Sequence, residues 1–114
     1  MEVKRGEIWL VNLDPTLGHE IKKTRPAVII QNDIGNKYSP MTIIAPLTSQ
    51  NIDKIYPFEA LLTKENSGAE TESKALLNQI RAIDKRRLIK RVGKVNDEVI
   101  IKIDEAIKIN LGLQ

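Results

Sequence analysis

Apolar and polar positions along the chain fall into short runs separated by turn-forming residues, with one longer helical pattern at the end. Residues 7–13 alternate as a strand does: Ile8, Leu10 and Asn12 share one side, and Trp9, Val11 and Leu13 the other. Asp14-Pro15-Thr16-Leu17-Gly18 interrupts this run with turn chemistry. The connection from Asp14 to Thr24 is long for a hairpin, and long loops in small domains are usually functional or mobile. Residues 26–31 carry Ala-Val-Ile-Ile without a charge and read as a buried strand, ended by residues 32–36. Residues 41–47, 56–62 and 73–78 read as further strands, and the polar stretch 64–72 as an exposed loop. Residues 82–88 are expected to form one or two helical turns, with Asp84 near their positive N-terminal end. Residues 91–95 return to strand, with Gly93 marking a bulge or a bend at a barrel corner.

The last segment has a different period. Asn96 is placed to cap a helix whose first turn holds Asp97 and Glu98. Val99, Ile103, Ala106 and Asn110 form one stripe, and Ile100, Ile107 and Leu111 lie beside it. Such a helix suits core and interface packing rather than chemistry. Several short strands and a terminal helix predict a mainly β fold with short helices, a small, partly open barrel. No internal repeat or linker interrupts residues 1–114, so one domain is expected.

Composition narrows the chemistry. Of the 114 residues, 41% are apolar and 29% charged, a globular balance. Aromatics reach only 4%, which argues against an extended stacking platform. There is no cysteine, which removes disulfides and thiol nucleophiles and fits a reducing cytosol. No apolar signal core opens the chain and no stretch reaches membrane-spanning length, so a cytoplasmic protein without a membrane partner is expected. Net charge is +3, with cations grouped at Lys22, Lys23 and Arg25 and again at Lys85, Arg86, Arg87, Lys90, Arg91 and Lys94. Such runs either meet phosphates or form a solvated face, and both readings stand open.

Two segments concentrate polar groups at the end of an apolar run: Thr24-Arg25-Pro26-Ala27-Val28-Ile29-Ile30-Gln31-Asn32-Asp33 and Ala45-Pro46-Leu47-Thr48-Ser49-Gln50. If the two runs pair, a fixed cation meets a hydroxyl at the sheet's edge, a place to hold and strain a phosphodiester. The single histidine, His19, rules out a two-histidine ribonuclease mechanism within one chain. Asp33, Asp53, Glu70 and Glu72 are scattered without metal-ligand spacing, and no phosphate loop or nucleophile elbow occurs. What remains is Arg25 and Thr48. Pro26 biases Arg25 towards extended geometry, and a guanidinium can bind two phosphate oxygens while charge develops on the phosphorane. Thr48 can donate to a non-bridging oxygen or orient the 2′-hydroxyl, with Ser49 as its neighbour. From the residues alone, Arg-Pro at a strand start is more often structural than functional.

Together with Lys4-Arg5-Gly6-Glu7, Ile8-Trp9, Gly18-His19-Glu20, Tyr56-Pro57-Phe58-Glu59, Gln79-Ile80-Arg81 and Ile83-Asp84-Lys85, these segments resemble the MazF/PemK family of toxin endoribonucleases. Each motif is weak alone; their ordered set covers nearly the whole chain. The resemblance implies an SH3-like barrel of the CcdB/PemK type, a two-fold homodimer with RNA across the interface, and Arg25 and Thr48 as the catalytic pair. It implies sequence-specific cleavage of single-stranded mRNA without metal or cofactor, leaving a 2′,3′-cyclic phosphate and a 5′-hydroxyl and halting translation and growth. A cognate antitoxin with an acidic, partly disordered tail would occupy the RNA groove. By the same carry-over Glu20 orders the loop flanking the RNA, while Asn32, Ser73 and Gln79 sit where bases or phosphates are read. For these four, structural polar bonding is equally open. The chain departs from the family at Lys22-Lys23-Thr24, where many members carry a small residue before Arg-Pro. Base preference is therefore not transferable, and Lys22 and Lys23 stand as candidates for added phosphate contacts. Two alternatives remain. One is a CcdB-like, non-enzymatic gyrase inhibitor acting through the terminal helix, although its last residues carry no aromatic hot spot. The other is an RNA-binding module without catalysis.

Overall fold

The computed structural model describes residues 2–20 and 23–113. Seven strands, β1 (Glu7–Asn12), β2 (Thr24–Ile29), β3 (Met41–Thr48), β4 (Glu59–Leu62), β5 (Ser73–Leu76), β6 (Arg81–Asp84) and β7 (Leu88–Lys94), make an antiparallel sheet. Helix α1 (Asp33–Tyr38) precedes β3, α2 (Lys64–Ser67) follows β4, and α3 (Asp97–Leu111) ends the fold. Strand order is β4-β5-β3-β2-β1-β7. The sheet forks at β3, whose first half, Met41–Ile44, pairs with β6 while Leu47 and Thr48 pair with β5.

The alternation along the strands is used on both faces. Ile8, Val28, Ala45 and Leu47 join Val99, Ile103 and Ala106 of α3 in one core. Trp9, Val11, Leu13, Ala27, Ile29 and Ile44 form a second core on the opposite face with Ile83 and Leu88. Burial on both sides explains why β2 reads as an uninterrupted apolar run.

The outer strands approach each other through α2. A Cβ on Gly93 would sit 2.6 Å from the Ser67 carbonyl oxygen, so only glycine fits this crossing. The β1–β7 register also slips beside it, pairing Ile8 with Gly93 and Trp9 with Arg91. Gly93 therefore marks both an irregularity and a close approach, as its position in a strand pattern suggests. The result is the small, partly open barrel expected, with the terminal helix across one face.

Several local expectations are corrected. Residues 32–36 begin a helix rather than simply ending β2: Asn32 caps α1, and buried Asn36 accepts from Gln31 Nε2 and from Thr42 Oγ1 at 2.7 Å. The 64–72 stretch opens with α2, held by a reciprocal capping box between Thr63 and Asn66. The strand expected over 56–62 is formed only by Glu59–Leu62, and that over 73–78 gives way to a 3-10 turn at Leu77–Gln79. Residues 81–84 are strand β6, so the helical turn expected over 82–88 is confined to Lys85–Arg87, with Asp84 as its N-cap. β7 starts at Leu88, three residues before the expected strand.

Helix α3 forms as expected. Asn96 Oδ1 accepts from Val99 N at 3.0 Å, and the chain leaves through Gly112 at φ +70°. Asn96→Ala is expected to cost about 1 kcal/mol, read as a lowered urea midpoint. None of the described helices is long and apolar enough to cross a membrane.

Arg86 donates to both oxygens of Asp84, from its side chain and its backbone, and holds that carboxyl down to about 2 from an ordinary 3.8. A depressed folded-state value means the contribution is present above pH 3.8 and is lost as pH falls through about 2. The urea-midpoint difference between wild type and Asp84→Asn should therefore shrink across that window.

Candidate active site

Pairing of β2 with β3 brings the proposed pair together. The ladder runs Ile29↔Ile44, Val28↔Ala45 and Ala27↔Pro46, and just beyond its end Arg25 and Thr48 line one concavity. Arg25 is half-buried, and its Nη1 donates to the Leu47 carbonyl at 3.3 Å, holding the guanidinium against the residue before Thr48. Thr48 Oγ1 accepts from Gln50 N at 3.2 Å. That bond uses a lone pair, so the hydroxyl keeps its own proton to donate outward.

Arg25, Thr48, Ser49 and Ser73 line one groove of about 540 Å³ together with Lys90 and Glu70. Ser73 Oγ donates to the Thr71 carbonyl at 3.0 Å, which fixes the start of β5 at the groove's rim. A permanent cation, a second cation and hydroxyl donors thus converge on one concavity open to solvent. A phosphate there would find a bidentate donor and at least one hydroxyl proton.

Behind Thr48 lies a buried ion pair. Its register partner Lys74 places Nζ 2.9 Å from Glu59 Oε1, with the two side chains 5% and 7% exposed. Lys74 Nζ also donates to the Lys54 carbonyl at 3.1 Å, and Glu59 Oε1 accepts from Tyr56 N at 3.0 Å. The pair therefore ties β4, β5 and the loop after Thr48 into one unit.

The other expected site residues are distributed differently. Glu20 and Gln79 line a separate groove of about 940 Å³ with His19 and Arg81. Glu20 Oε1 accepts from Leu17 N at 2.6 Å, a bond within its own loop. The base of that loop is pinned by Asp14 Oδ1, which accepts from Lys23 N at 3.0 Å, and by Arg87, which donates to the carbonyls of Asn12 and Asp14. Lys23 is exposed and sits at φ +74°, a left-handed conformation that glycine adopts without cost. Lys22 lies outside the described residues. Asn32 is not brought to either groove: it caps α1 by accepting from Gly35 N at 2.8 Å, at the end of β2 away from Arg25.

The basic run at 85–94 is mostly engaged within the protein. Lys85 donates to the Asn36 carbonyl, Arg86 pairs with Asp84, Arg87 holds the loop base, and Arg91 Nε lies 3.3 Å from Glu7 Oε2. Lys90 is the member that lines the Arg25 groove. It faces Leu10 on β1, which in turn faces Pro26 on β2, so one row across the sheet links it to the site. Only the β1–β7 pairing reveals this, and the linear charge pattern does not. Among the described residues no three His, Asp or Glu side chains gather to hold a metal ion.

Comparison with known proteins agrees with this geometry. The sequence profile of the PemK-like, MazF-like toxins of type II toxin–antitoxin systems matches residues 4–111. Endoribonuclease EndoA of Bacillus subtilis is 42% identical over 113 residues, covering 99% of this chain and 97% of the relative. Endoribonuclease MazF9 of Mycobacterium tuberculosis is 40% identical over 116 residues, covering 97% and 98%. In three dimensions the fold matches MazF from Deinococcus radiodurans with a TM-score of 0.85 at 24% identity, over 99% of both chains. It also matches a mycobacterial endoribonuclease solved with its cognate antitoxin, with a TM-score of 0.81 at 19% identity over 98% and 97%. With a profile match over nearly its whole length and relatives this similar from end to end, the chain belongs to the PemK-like, MazF-like toxin family of type II toxin–antitoxin systems.

Proposed function

We propose that this chain is a toxin endoribonuclease that cleaves single-stranded mRNA in the cytoplasm, without metal, through Arg25 and Thr48. The observation that supports this reading is the groove at the end of the β2–β3 pairing, lined by a held guanidinium and by a hydroxyl. In the proposed reaction the 2′-oxygen of one ribose gives its proton to solvent water and attacks the adjacent phosphorus. The bond to the 5′-oxygen then breaks, and that oxygen takes a proton back from solvent and leaves as a 5′-hydroxyl, while the other fragment ends in a 2′,3′-cyclic phosphate. Arg25 stays protonated throughout and neutralises charge on the non-bridging oxygens, since a guanidinium is a poor base at neutral pH. Thr48 donates to one of those oxygens.

Ser49, Ser73 and Lys90 flank the reacting phosphate. Glu20 and Gln79, in the neighbouring groove, face the RNA further along, with Lys22 and Lys23 adding cationic contacts. Asn32 enters this reading only through the resemblance, its side chain being used as a helix cap. One domain spans the chain, and two copies pair about a two-fold axis. A cognate antitoxin presents an acidic tail to the cationic groove, as the antitoxin-bound mycobacterial relative suggests by analogy.

The test is analysis of the ends made by purified protein on a long single-stranded RNA. Products whose 5′ ends accept phosphate without prior phosphatase treatment, and whose 3′ ends are cyclic phosphates, are expected. Products with 5′-phosphates would overturn the 2′-oxygen attack. Thr48→Ala should slow cleavage roughly 10- to 100-fold, for loss of one hydrogen bond to developing charge. Thr48→Ser should retain most of the rate.

A further inference from the structure

The groove holding Arg25 does not stop at Thr48. A further concavity of about 630 Å³ begins on the other side of that residue and shares both Thr48 and Gln50 with the first. Lys54 and Tyr56 line it, as do the buried Lys74–Glu59 pair. Two of the chain's four aromatic residues meet here: Tyr56 stacks on Phe58, with ring centroids 5.6 Å apart and planes 5° from parallel. Tyr56 remains 43% exposed, although an isolated aromatic of that size usually buries more. Lys54 Nζ stands 5.0 Å from the Tyr56 ring centre.

We propose that this second concavity binds the nucleotide adjoining the cleaved phosphodiester, with Tyr56 stacking on its base and Lys54 meeting its phosphate. The inference rests on the endoribonuclease reading and extends it to a further substrate-binding position. A strand whose phosphate lies at Arg25 and Thr48 must continue past one side of Thr48, and this concavity is continuous with that path. The ring is held for the purpose. Phe58 stacks against it, the Tyr56 backbone N–H donates to Glu59, and Lys74, whose Nζ stands 5.6 Å from the ring centre, anchors Glu59. A preset aromatic costs little entropy on binding, so stacking there yields most of its value as affinity. On arrival of a base the flexible Lys54 head moves from the ring to the phosphate, exchanging a cation–π contact for a charge-assisted one. Asn51 and Gln50 at the groove's edge supply amides for the base's polar rim.

The test uses fully 2′-fluoro RNA, which lacks the nucleophile and is bound without being cut, so binding is read separately from cleavage. Oligonucleotides trimmed one residue at a time from each end are titrated against wild type, Tyr56→Ala, Tyr56→Phe and Lys54→Ala. Tyr56→Ala should weaken binding of the longest RNA roughly 5- to 140-fold, the range for one base–aromatic stack, and Tyr56→Phe less than about twofold. The Tyr56→Ala deficit should vanish once trimming from one end removes the stacked nucleotide. Lys54→Ala should reduce the slope of log Kd against log salt by about 0.7, as one phosphate contact requires. Binding by Tyr56→Ala within twofold of wild type would overturn the proposal. So would an equal loss at every RNA length, or an equal loss in Tyr56→Phe. If wild type binds these RNAs but leaves ordinary RNA intact, the catalytic reading fails while the Tyr56 comparison still decides this one.

Discussion

Arg25→Ala is expected to lower the rate of RNA cleavage about 100- to 1000-fold, the largest effect on activity of any single substitution in the protein. The guanidinium is a permanent cation at the β2–β3 end of the groove, held by the Leu47 carbonyl in the concavity that Thr48 also lines. Removing it takes away charge stabilisation where the phosphorane carries most of its negative charge, worth roughly 3–4 kcal/mol in the barrier. Arg25→Lys should recover only a part, because an ammonium cannot span two phosphate oxygens in one plane. Single-turnover cleavage at saturating enzyme separates this from weaker binding. A loss confined to KM, with the maximal rate intact, would show that Arg25 binds RNA without assisting the reaction.

Glu59→Ala is expected to have the largest effect on stability, about 3–5 kcal/mol. The reason is what it leaves behind: the Lys74 ammonium, 5% exposed, loses its carboxylate and keeps the Lys54 carbonyl and the Tyr56 ring, neither of which carries a charge. Tyr56 N loses its acceptor as well. A loss of that size is a large share of a typical domain's stability and should be plain in urea unfolding. Replacing both partners with apolar residues, as in Glu59→Leu with Lys74→Met, should restore most of it, because no buried charge is then left unpaired. A double variant as unstable as Glu59→Ala would mean that the pair contributes net attraction well beyond its own desolvation.

Most strands and the terminal helix were legible because their signals are local, whereas β6, four residues long with an arginine and an aspartate at its ends, read as helical. β2 announces itself by an uncharged β-branched run, and α3 by Asn96, two first-turn acids and a helical stripe. That Arg25 and Thr48 share a groove could also be anticipated, since Arg25 opens one apolar run, Thr48 closes the other, and those runs pair antiparallel. Helix α1 was not legible. Its six residues contain a glycine and leave Ile34 and Tyr38 exposed, so no apolar stripe marks it; it rests on the Asn32 cap and the Asn36 network. Composition could not say which cations of the 85–94 run were engaged. Arg87 reaches back to Asn12 and Asp14, more than seventy positions earlier in the chain, while Lys90 is brought to the groove by a strand pairing of similar span. The same holds for the aromatic pair: 4% aromatics argues against a broad stacking surface, and two such residues placed together beside Thr48 are a matter of topology.

The central claim is that this groove cuts RNA by itself, with a cation and a hydroxyl in place of a metal. The most direct measurement is cleavage of single-stranded RNA in excess EDTA by wild type, Arg25→Ala and Thr48→Ala, at enzyme concentrations that saturate binding. The account predicts cuts at restricted sequences by wild type, at the same rate with or without chelator, slowed about 100- to 1000-fold in Arg25→Ala and about 10- to 100-fold in Thr48→Ala despite retained RNA binding. Wild-type protein that binds RNA and leaves it intact, or cuts it only when a divalent ion is supplied, would contradict it.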